Sequence, residues 1–274
     1  MPYLISSFPS GNSIGAETST YTGLLDELET AIVNLGGTSP SAKAFADCTW
    51  AEVKEICRSG KASTYWKIGD TKPMIAGQTT NLFRIIGFDH DTVSNTVTYG
   101  REKAGITLEM IDPPSSLKQF FNSNTNDQYW TWNPGATSET NDTTNYYRNT
   151  YLPDFFNNTM PEDLRTAIVP VQKDFLNNSG NIVWGSDTLF LLSLNEIYGT
   201  YTSGVGSEGT LYEYFAAGNS PIFPISGEYY WTRSKGGTPS NSMGHSVYCV
   251  KPDGSAQVYG PTNLYAYGIP CFCI

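Results

Sequence analysis

Apolar and polar residues alternate in the last part of the chain, a spacing that predicts β-strands. Residues 246–250 and 255–259 form two such runs, separated by Lys251-Pro252-Asp253-Gly254. Pro fixes φ for a turn, Asp can bond its own backbone, and Gly supplies a positive φ, so these four residues predict a hairpin. Residues 268–274 form a final apolar run, which we expect to lie as a strand inside a sheet.

The N-terminal segment, residues 1–45, has a different pattern. Residues 2–22 are rich in Ser, Gly and Thr, which predicts an extended arm, and residues 36–40 are expected to be a linker. Between them, residues 22–36 predict a helix with one apolar stripe made of Leu24, Leu28, Ile32 and Leu35. This helix either packs on its own domain or docks onto another molecule. We predict docking or oligomerisation, because the linker separates the helix from the rest.

The remaining pattern mixes helices and strands. Thr49 and Glu52 have the spacing of a capping box, which predicts a helix ending at Gly60. A capped turn is predicted at residues 193–196. The other predictions are strands over residues 65–70, 81–88 and 187–193, and helices over residues 149–156 and 161–169.

Composition narrows the possible functions. The 274 residues carry a formal charge of −10, which argues against nucleic acid as a partner because phosphates require a basic surface. Aromatic residues reach 14% while charged residues are only 15%, a balance typical of surfaces that bind through aromatic rings and hydroxyls. The sequence lacks an apolar run long enough for a membrane span and, at its start, a secretory signal, so we expect no membrane insertion.

Three clusters could carry chemistry. Asp89-His90-Asp91 could bind a metal or transfer protons, or it could be a polar strand end. Asn141-Asp142-Thr143 could contribute to a calcium site but lacks EF-hand spacing. Cys271 and Cys273 alternate on one predicted strand and therefore share a face, where disulfide geometry is rare, so we interpret them as structural thiols. We predict no catalytic residue, no metal and no cofactor.

Several motifs occur in an order that resembles a known family. They are Tyr-Trp-x-Arg-Ser at 230–234, Gly-Ile-x-x-Phe-Cys-Ile at 268–274 and, further upstream, Tyr-Trp-x-Ile-Gly-Asp at 65–70. This order resembles the DUF6273 family over about residues 46–274. That family is frequent in phages and prophages of Gram-positive gut bacteria. It is similar to the C-type-lectin-like fold of phage tropism determinants and formylglycine-generating enzymes.

The resemblance implies an α+β fold with a C-type-lectin-like domain at 46–274, containing a mixed or antiparallel sheet, short helices and long loops. It implies a non-enzymatic virion structural protein that binds a host-surface glycan or protein and contacts other virion proteins, and its own copies, through the N-terminal arm. The alternatives are a structural decoration or connector protein without a receptor, and an oxidase of the formylglycine-generating type.

The position of the binding face in similar proteins indicates residues near the C-terminal hairpins. The expected ligand-binding residues there are Tyr229, Tyr230, Asn241, Asn263, Tyr265 and Tyr267. Trp130 and Trp132 lie in a long polar stretch, residues 113–150, which is typical of a binding loop or of a loop pinned to the core by its rings. Trp231 is expected in the core, with Arg233 stacked on it or paired to an acid.

Overall fold

The strands account for much of the described part of the protein, which in this computed structural model comprises residues 43–121, 147–176, 181–199, 208–223, 225, 227–236, 246–260 and 264–274. In chain order they are β1 (Thr71–Ala76), β2 (Thr79–Phe88), β3 (Ile106–Met110), β4 (Lys118–Phe120), β5 (Val171–Leu176), β6 (Ile182–Asp187), β7 (Tyr230–Lys235), β8 (Val247–Val250), β9 (Ala256–Tyr259), β10 (Tyr265–Gly268) and β11 (Cys271–Cys273).

The helices of the described residues are short, and two of them precede the first strand. They are α1 (Trp50–Arg58), α2 (Ala62–Tyr65), α3 (Thr96–Tyr99), α4 (Leu152–Asn158), α5 (Glu162–Ala167), α6 (Leu194–Tyr198) and α7 (Glu213–Ala216). Two 3-10 turns, Phe45–Asp47 and Ser115–Leu117, and one π-helical turn, Tyr147–Tyr151, complete the set. None of the helices among the described residues is long and apolar enough to cross a membrane.

The first sheet holds the C-terminal strand. Its order is β1-β2-β3-β11, and all neighbours are antiparallel. Ile274 and Ile106 exchange two backbone hydrogen bonds of 3.1 Å, and the rings of Phe272 and Phe83 meet edge to face at 4.8 Å. The predicted terminal strand is therefore confirmed, and β2 occupies the inner position expected for an apolar strand.

The second sheet has the order β4-β10-β7-β8-β9. Strands β10 and β7 run parallel, while the other neighbours are antiparallel. The predicted hairpin is confirmed as β8–β9: Gly254 has a φ of 80°, and the backbone N–H of Ser255 donates to Asp253 Oδ1 at 2.9 Å. Strands β5 and β6 form a separate antiparallel pair. The mixture of helices and sheets confirms the α+β class.

Two predicted strands are wrong. Residues 65–70 form the end of α2 followed by a turn, because Gly69 has a φ of 91° and Asp70 Oδ2 accepts from the Lys67 N–H at 2.9 Å. Residues 187–193 are mostly irregular: Phe190 makes only an isolated bridge to Cys271. That segment is apolar because it is buried, and burial alone does not require a regular strand. By contrast, both capping boxes, at Thr49 and Ser193, are confirmed.

Candidate functional site

The lysine half of a buried ion network lies on β5. Lys173 lies on the same face of this strand as the apolar Val171 and Phe175, and it is almost inaccessible to solvent. Its Nζ lies 2.5 Å from Asp91 Oδ1 and 2.9 Å from Glu196 Oε1. Nζ also donates to Tyr212 Oη at 2.8 Å, and that hydroxyl in turn donates to Asp91 Oδ2 at 2.8 Å. The ammonium group is therefore enclosed by acceptors, as a buried charge requires.

The arginine half lies on β7. Arg233 is fully buried, and its guanidinium donates through two nitrogens to the two carboxylate oxygens of Glu196. It also donates to the backbone oxygens of Leu191 at 3.0 Å and Asp174 at 3.2 Å. This fork-to-fork geometry is the strong form of an arginine–carboxylate pair. We call Asp91, Lys173, Glu196, Tyr212 and Arg233 the ion network.

The charges of the ion network hold one another in their ionised forms. Burial acts to raise the pKa of Glu196, but the charges of Arg233 and Lys173 outweigh it and lower that pKa. Burial also acts to raise the pKa of Asp91, but the neighbouring Lys173 and His90 outweigh it, so this pKa lies well below its usual range. Burial lowers the pKa of Lys173, yet the adjacent carboxylates raise it overall. The network is therefore a set of mutually compensated charges.

Glu208 lies beside the ion network and differs from the carboxylates of the network in the direction of its pKa shift. Its Oε1 accepts from the Leu176 N–H at 2.9 Å, and its Oε2 accepts from Ser234 Oγ at 2.5 Å. Burial raises the pKa of Glu208 to about 7, and the nearby charge of Arg233 only partly opposes this shift. Glu208 is therefore the member of this region whose protonation changes near neutral pH.

The predicted Asp89-His90-Asp91 cluster does not form a shared site. Asp89 pairs outward with Arg101 at 2.8 Å, while Asp91 points into the ion network. The His90 ring stacks on Tyr212 at 4.0 Å between centroids, and its Nε2 lies 3.0 Å from Thr210 Oγ1. His90 Nδ1 lies 3.6 Å from Asp91 Oδ2, whereas Asp89 points away from both, so the three side chains do not converge on one site and the strand-end interpretation holds in part.

Cys271 and Cys273 are buried, and neither forms a disulfide. Burial raises the pKa of Cys271 and of Cys273 well above the usual range for a thiol, and nearby carboxylates add to the effect. Cys273 Sγ lies 3.4 Å from Asp91 Oδ2 and from Thr107 Oγ1, in contact with the ion network. A thiol held protonated in this way is a weak nucleophile.

An exposed aromatic pair lies at one edge of the second sheet. Tyr265 on β10 is directly opposite Phe120 on β4, and their rings meet edge to face at 5.3 Å. Tyr265 is 48% exposed and Phe120 is 38% exposed. Lys118 and Tyr267 are the next facing pair on the same side of the sheet, with Lys118 Nζ 5.6 Å from the Tyr267 ring. We call these four residues the aromatic face.

The aromatic face rests on a rigid support. Tyr147 lies under β4 and β10, and its hydroxyl is 3.0 Å from the backbone oxygens of Leu117 and of Ala266, either of which can accept its one proton. A Cβ on Gly268 would come within 2.1 Å of the Tyr147 ring, so only glycine allows this close approach. On the solvent side, Lys118 Nζ and Glu228 Oε1 form an ion pair of 2.7 Å. The exposed rings are therefore held in place from below.

The other predicted ligand-binding residues differ in accessibility. Tyr230 and Tyr267 are only 3% and 8% exposed, because Phe223 packs against both rings. This burial leaves them little surface for a ligand. Tyr229 is half-buried and meets the Tyr259 ring edge to face at 5.9 Å. Trp231 is in the core, where its Nε1 donates to the backbone oxygen of Gln119 at 3.0 Å.

Some predictions concern residues outside the described part of the chain. They are the ligand-binding Trp130, Trp132, Asn241 and Asn263, the docking residues Leu24, Leu28, Ile32 and Leu35, and the possible calcium ligands of residues 141–143. These remain predictions.

Sequence reasoning found Arg233 but missed its partners. The expected pairing of Arg233 with an acid is confirmed, whereas Lys173, Glu196 and Glu208 were not singled out as charged core residues. One signal was available for Lys173: it lies between Val171 and Phe175 on a strand face that is otherwise apolar. A lysine in that position must find an acid inside the protein.

These observations define an α+β protein with a buried ion network and an exposed aromatic face. The pattern of DUF6273, a domain of unknown function, matches residues 108–274, which is more than half of the chain. The chain therefore belongs to the DUF6273 family, and the matched range begins within β3 and contains β4 to β11 but not the upstream motifs. No curated protein and no solved structure matches the chain.

Proposed function

We propose that this protein is a non-enzymatic binding protein whose aromatic face recognises a glycan or protein on a host-cell surface. The observation that carries this proposal is the exposed pair of Phe120 and Tyr265, which face each other on neighbouring strands at the edge of a sheet. Exposed aromatic rings supply a large contact area at little entropic cost, which suits a binding surface. The C-type-lectin-like identity of the fold and the location on a phage virion are parts of this proposal that rest on the family resemblance.

The state of the ionisable core supports a binding role over an oxidase role. The two C-terminal thiols are buried and protonated, and the ion network pairs its charges internally. A redox site of the formylglycine-generating type would need a cysteine that forms a thiolate within reach of substrate. The aromatic face, in contrast, is open to a large partner.

A glycan array and a whole-cell binding assay with the full chain test the proposal. We expect binding to be reduced about tenfold by Phe120→Ala or Tyr265→Ala, because central aromatic residues dominate binding energy. Ile75→Ala is the matched control, since Ile75 is also an exposed apolar residue but lies on β1. If the intact chain binds neither glycans nor host cells, the decoration or connector alternative replaces the proposal.

The second part of the proposal concerns the N-terminal segment. We expect residues 1–45 to attach the protein to other virion proteins or to sister copies. The residues from Ala44 to Ile274 form one compact unit with their own core. Deleting residues 1–43, which keeps the buried Phe45, is therefore expected to leave a cooperatively melting domain that no longer assembles, as measured by calorimetry and by light scattering. A truncated chain that aggregates would place the segment in the core instead.

A further inference from the structure

A lysine amine and a carboxyl group meet inside the core, on two segments that are paired side by side. Val93 and Val171 form an antiparallel bridge. Asp91 precedes Val93 by two residues and Lys173 follows Val171 by two, so their side chains face each other, with Lys173 Nζ 2.5 Å from Asp91 Oδ1. The fold therefore holds an amine against a carboxyl group that lies 82 positions away in the chain.

Both groups are shielded from bulk water. The side chains of Lys173 and Asp91 are 3% and 4% exposed, and the centroid of the Phe190 ring lies 3.9 Å from Lys173 Nζ. Condensation of an amine with a carboxyl group releases water, and a site from which bulk water is excluded suppresses the reverse reaction, hydrolysis. Permanent contact between the two groups also favours their reaction as much as a concentration of about 10⁵ M or more would.

The two oxygens of the Asp91 carboxylate have different surroundings. Oδ2 accepts hydrogen bonds from the hydroxyls of Thr107 at 2.5 Å and Tyr212 at 2.8 Å, whereas Oδ1 faces the Lys173 ammonium group. Two hydroxyl donors at one carboxyl oxygen stabilise the negative charge that develops there when a nucleophile adds to the carbon. Oδ2 is therefore suited to remain as the amide oxygen, and Oδ1 is suited to leave.

Glu196 supplies a base at the same nitrogen. Its Oε1 accepts from Lys173 Nζ at 2.9 Å, and its side chain is 1% exposed. The Ser193 N–H, at 2.9 Å, and the Arg233 guanidinium donate to the other oxygen, Oε2, and so fix the orientation of the carboxylate. Since Glu196 Oε1 and Asp91 Oδ1 are both hydrogen-bonded to Nζ, this carboxylate can carry a proton from the nitrogen to the leaving oxygen.

From this geometry we propose that Lys173 and Asp91 join in an intramolecular amide bond, which the folded chain forms by itself with Glu196 as the proton-transfer residue. One proton moves from Nζ to Oδ1 along their hydrogen bond, and the neutral amine attacks Cγ of Asp91. Glu196 takes a second proton from the nitrogen and delivers it to Oδ1. The Cγ–Oδ1 bond then breaks, and Oδ1 leaves with both protons as water. The nitrogen keeps the third ammonium proton, so one ammonium and one carboxylate become one amide and one water, without an oxidant or a cofactor.

The ionised pair of Lys173 and Asp91 is the starting state of this reaction. The neighbouring charges keep both groups in their ionised forms, so the neutral amine and acid are a minor population. The reaction is therefore expected to be slow, but each chain needs to react only once. This inference goes beyond the proposed function and does not depend on it, because the ion network and the aromatic face have no residue in common.

Intact-mass spectrometry of the full chain tests the proposal, with the folded protein stored at neutral pH and denatured before measurement. We expect a mass lower than that of the sequence by one water molecule. A tryptic digest should yield one cross-linked peptide that contains residues 91 and 173, and cleavage after Lys173 should be lost because trypsin does not cut at an acylated lysine. The digest uses the parent protein, so this result does not depend on the folding of any variant.

Three variants assign the reacting groups. Lys173→Arg keeps the positive charge but not the nucleophilic amine, and it should have the full mass of its sequence. Glu196→Gln should slow the loss of water about a hundredfold, the lower end of the contribution of a positioned acid–base group. Lys251→Arg is the matched control, since Lys251 pairs with Asp253 at 3.2 Å on the surface, and it should lose water as the parent does.

Two results would overturn the proposal. The first is a stored parent protein with the full mass of its sequence. The second is a loss of water that persists in Lys173→Arg, as a succinimide at Asp253-Gly254 would produce. A parental rate in Glu196→Gln would contradict the role given to Glu196.

Discussion

Charged residues usually lie on a protein surface and aromatic residues inside it, but the ion network and the aromatic face show the reverse. In the ion network, Lys173 and Arg233 are buried with their charges compensated by carboxylates. In the aromatic face, Phe120 and Tyr265 are exposed to solvent. Burying a charge costs free energy unless it is paired, and exposing an aromatic ring forgoes burial energy. The charged residues are therefore paired inside this fold, while the apolar rings are left available for contact.

The largest expected effect comes from breaking the ion network. Arg233→Ala should lower the free energy of unfolding by about 3–5 kcal/mol, because it leaves Glu196 buried without its main partner. Chemical denaturation measures the change. Glu55→Ala provides the control, since it removes only the exposed pair with Arg58 at 3.7 Å and should cost less than about 1 kcal/mol. Equal effects of the two variants would mean that the buried pairing does not hold the fold together.

A smaller effect is expected from the pH dependence of Glu208. The folded carboxyl keeps its proton up to a pKa of about 7, whereas the unfolded one loses it near 4.5, so the folded state binds more protons in between. Stability should therefore fall as pH rises from about 4.5 to 7 and level off above 7. The total loss from this group is about 3 kcal/mol, from about 1.4 kcal/mol for each pKa unit.

Glu208→Gln is the variant that isolates this contribution. Its stability relative to the parent should increase with pH across the same range and stay constant above about 7, as followed by denaturation at several pH values. Glu213→Gln, at an exposed position on α7, is the matched control and should not change the slope. A parallel pH profile for parent and Glu208→Gln would show that Glu208 ionises normally.

The smallest effect on stability is expected at the aromatic face. Phe120→Ala and Tyr265→Ala should each cost about 1 kcal/mol or less, the size of a cross-strand pair on an exposed surface. Trp231 is a core residue on β7 of the same sheet, and Trp231→Ala should lower the free energy of unfolding by about 3–5 kcal/mol. Thermal or chemical denaturation compares the three variants. A loss at Tyr265 as large as at Trp231 would identify the face as part of the core.

Features that depend only on neighbouring residues were predictable from the sequence. The hairpin at residues 251–254 and the two capping boxes follow from local turn and helix-end chemistry, and all three are confirmed. The need for an acid partner at Arg233 was also predictable, because a charge on a buried strand must be compensated. The family was recognisable from the order of short motifs.

Which distant residues meet, and which remain exposed, depends on the completed fold. Lys173 and Asp91 are 82 positions apart, and Arg233 and Glu196 are 37 apart, so no local pattern links them. Tyr265 and Tyr267 share one strand face and have the same side chain, yet one is exposed and the other is buried. The difference arises because the Phe223 ring covers the Tyr267 ring, with 5.2 Å between the ring centroids. Such packing between distant segments is set by the completed fold, because the spacing along a strand is the same for both tyrosines.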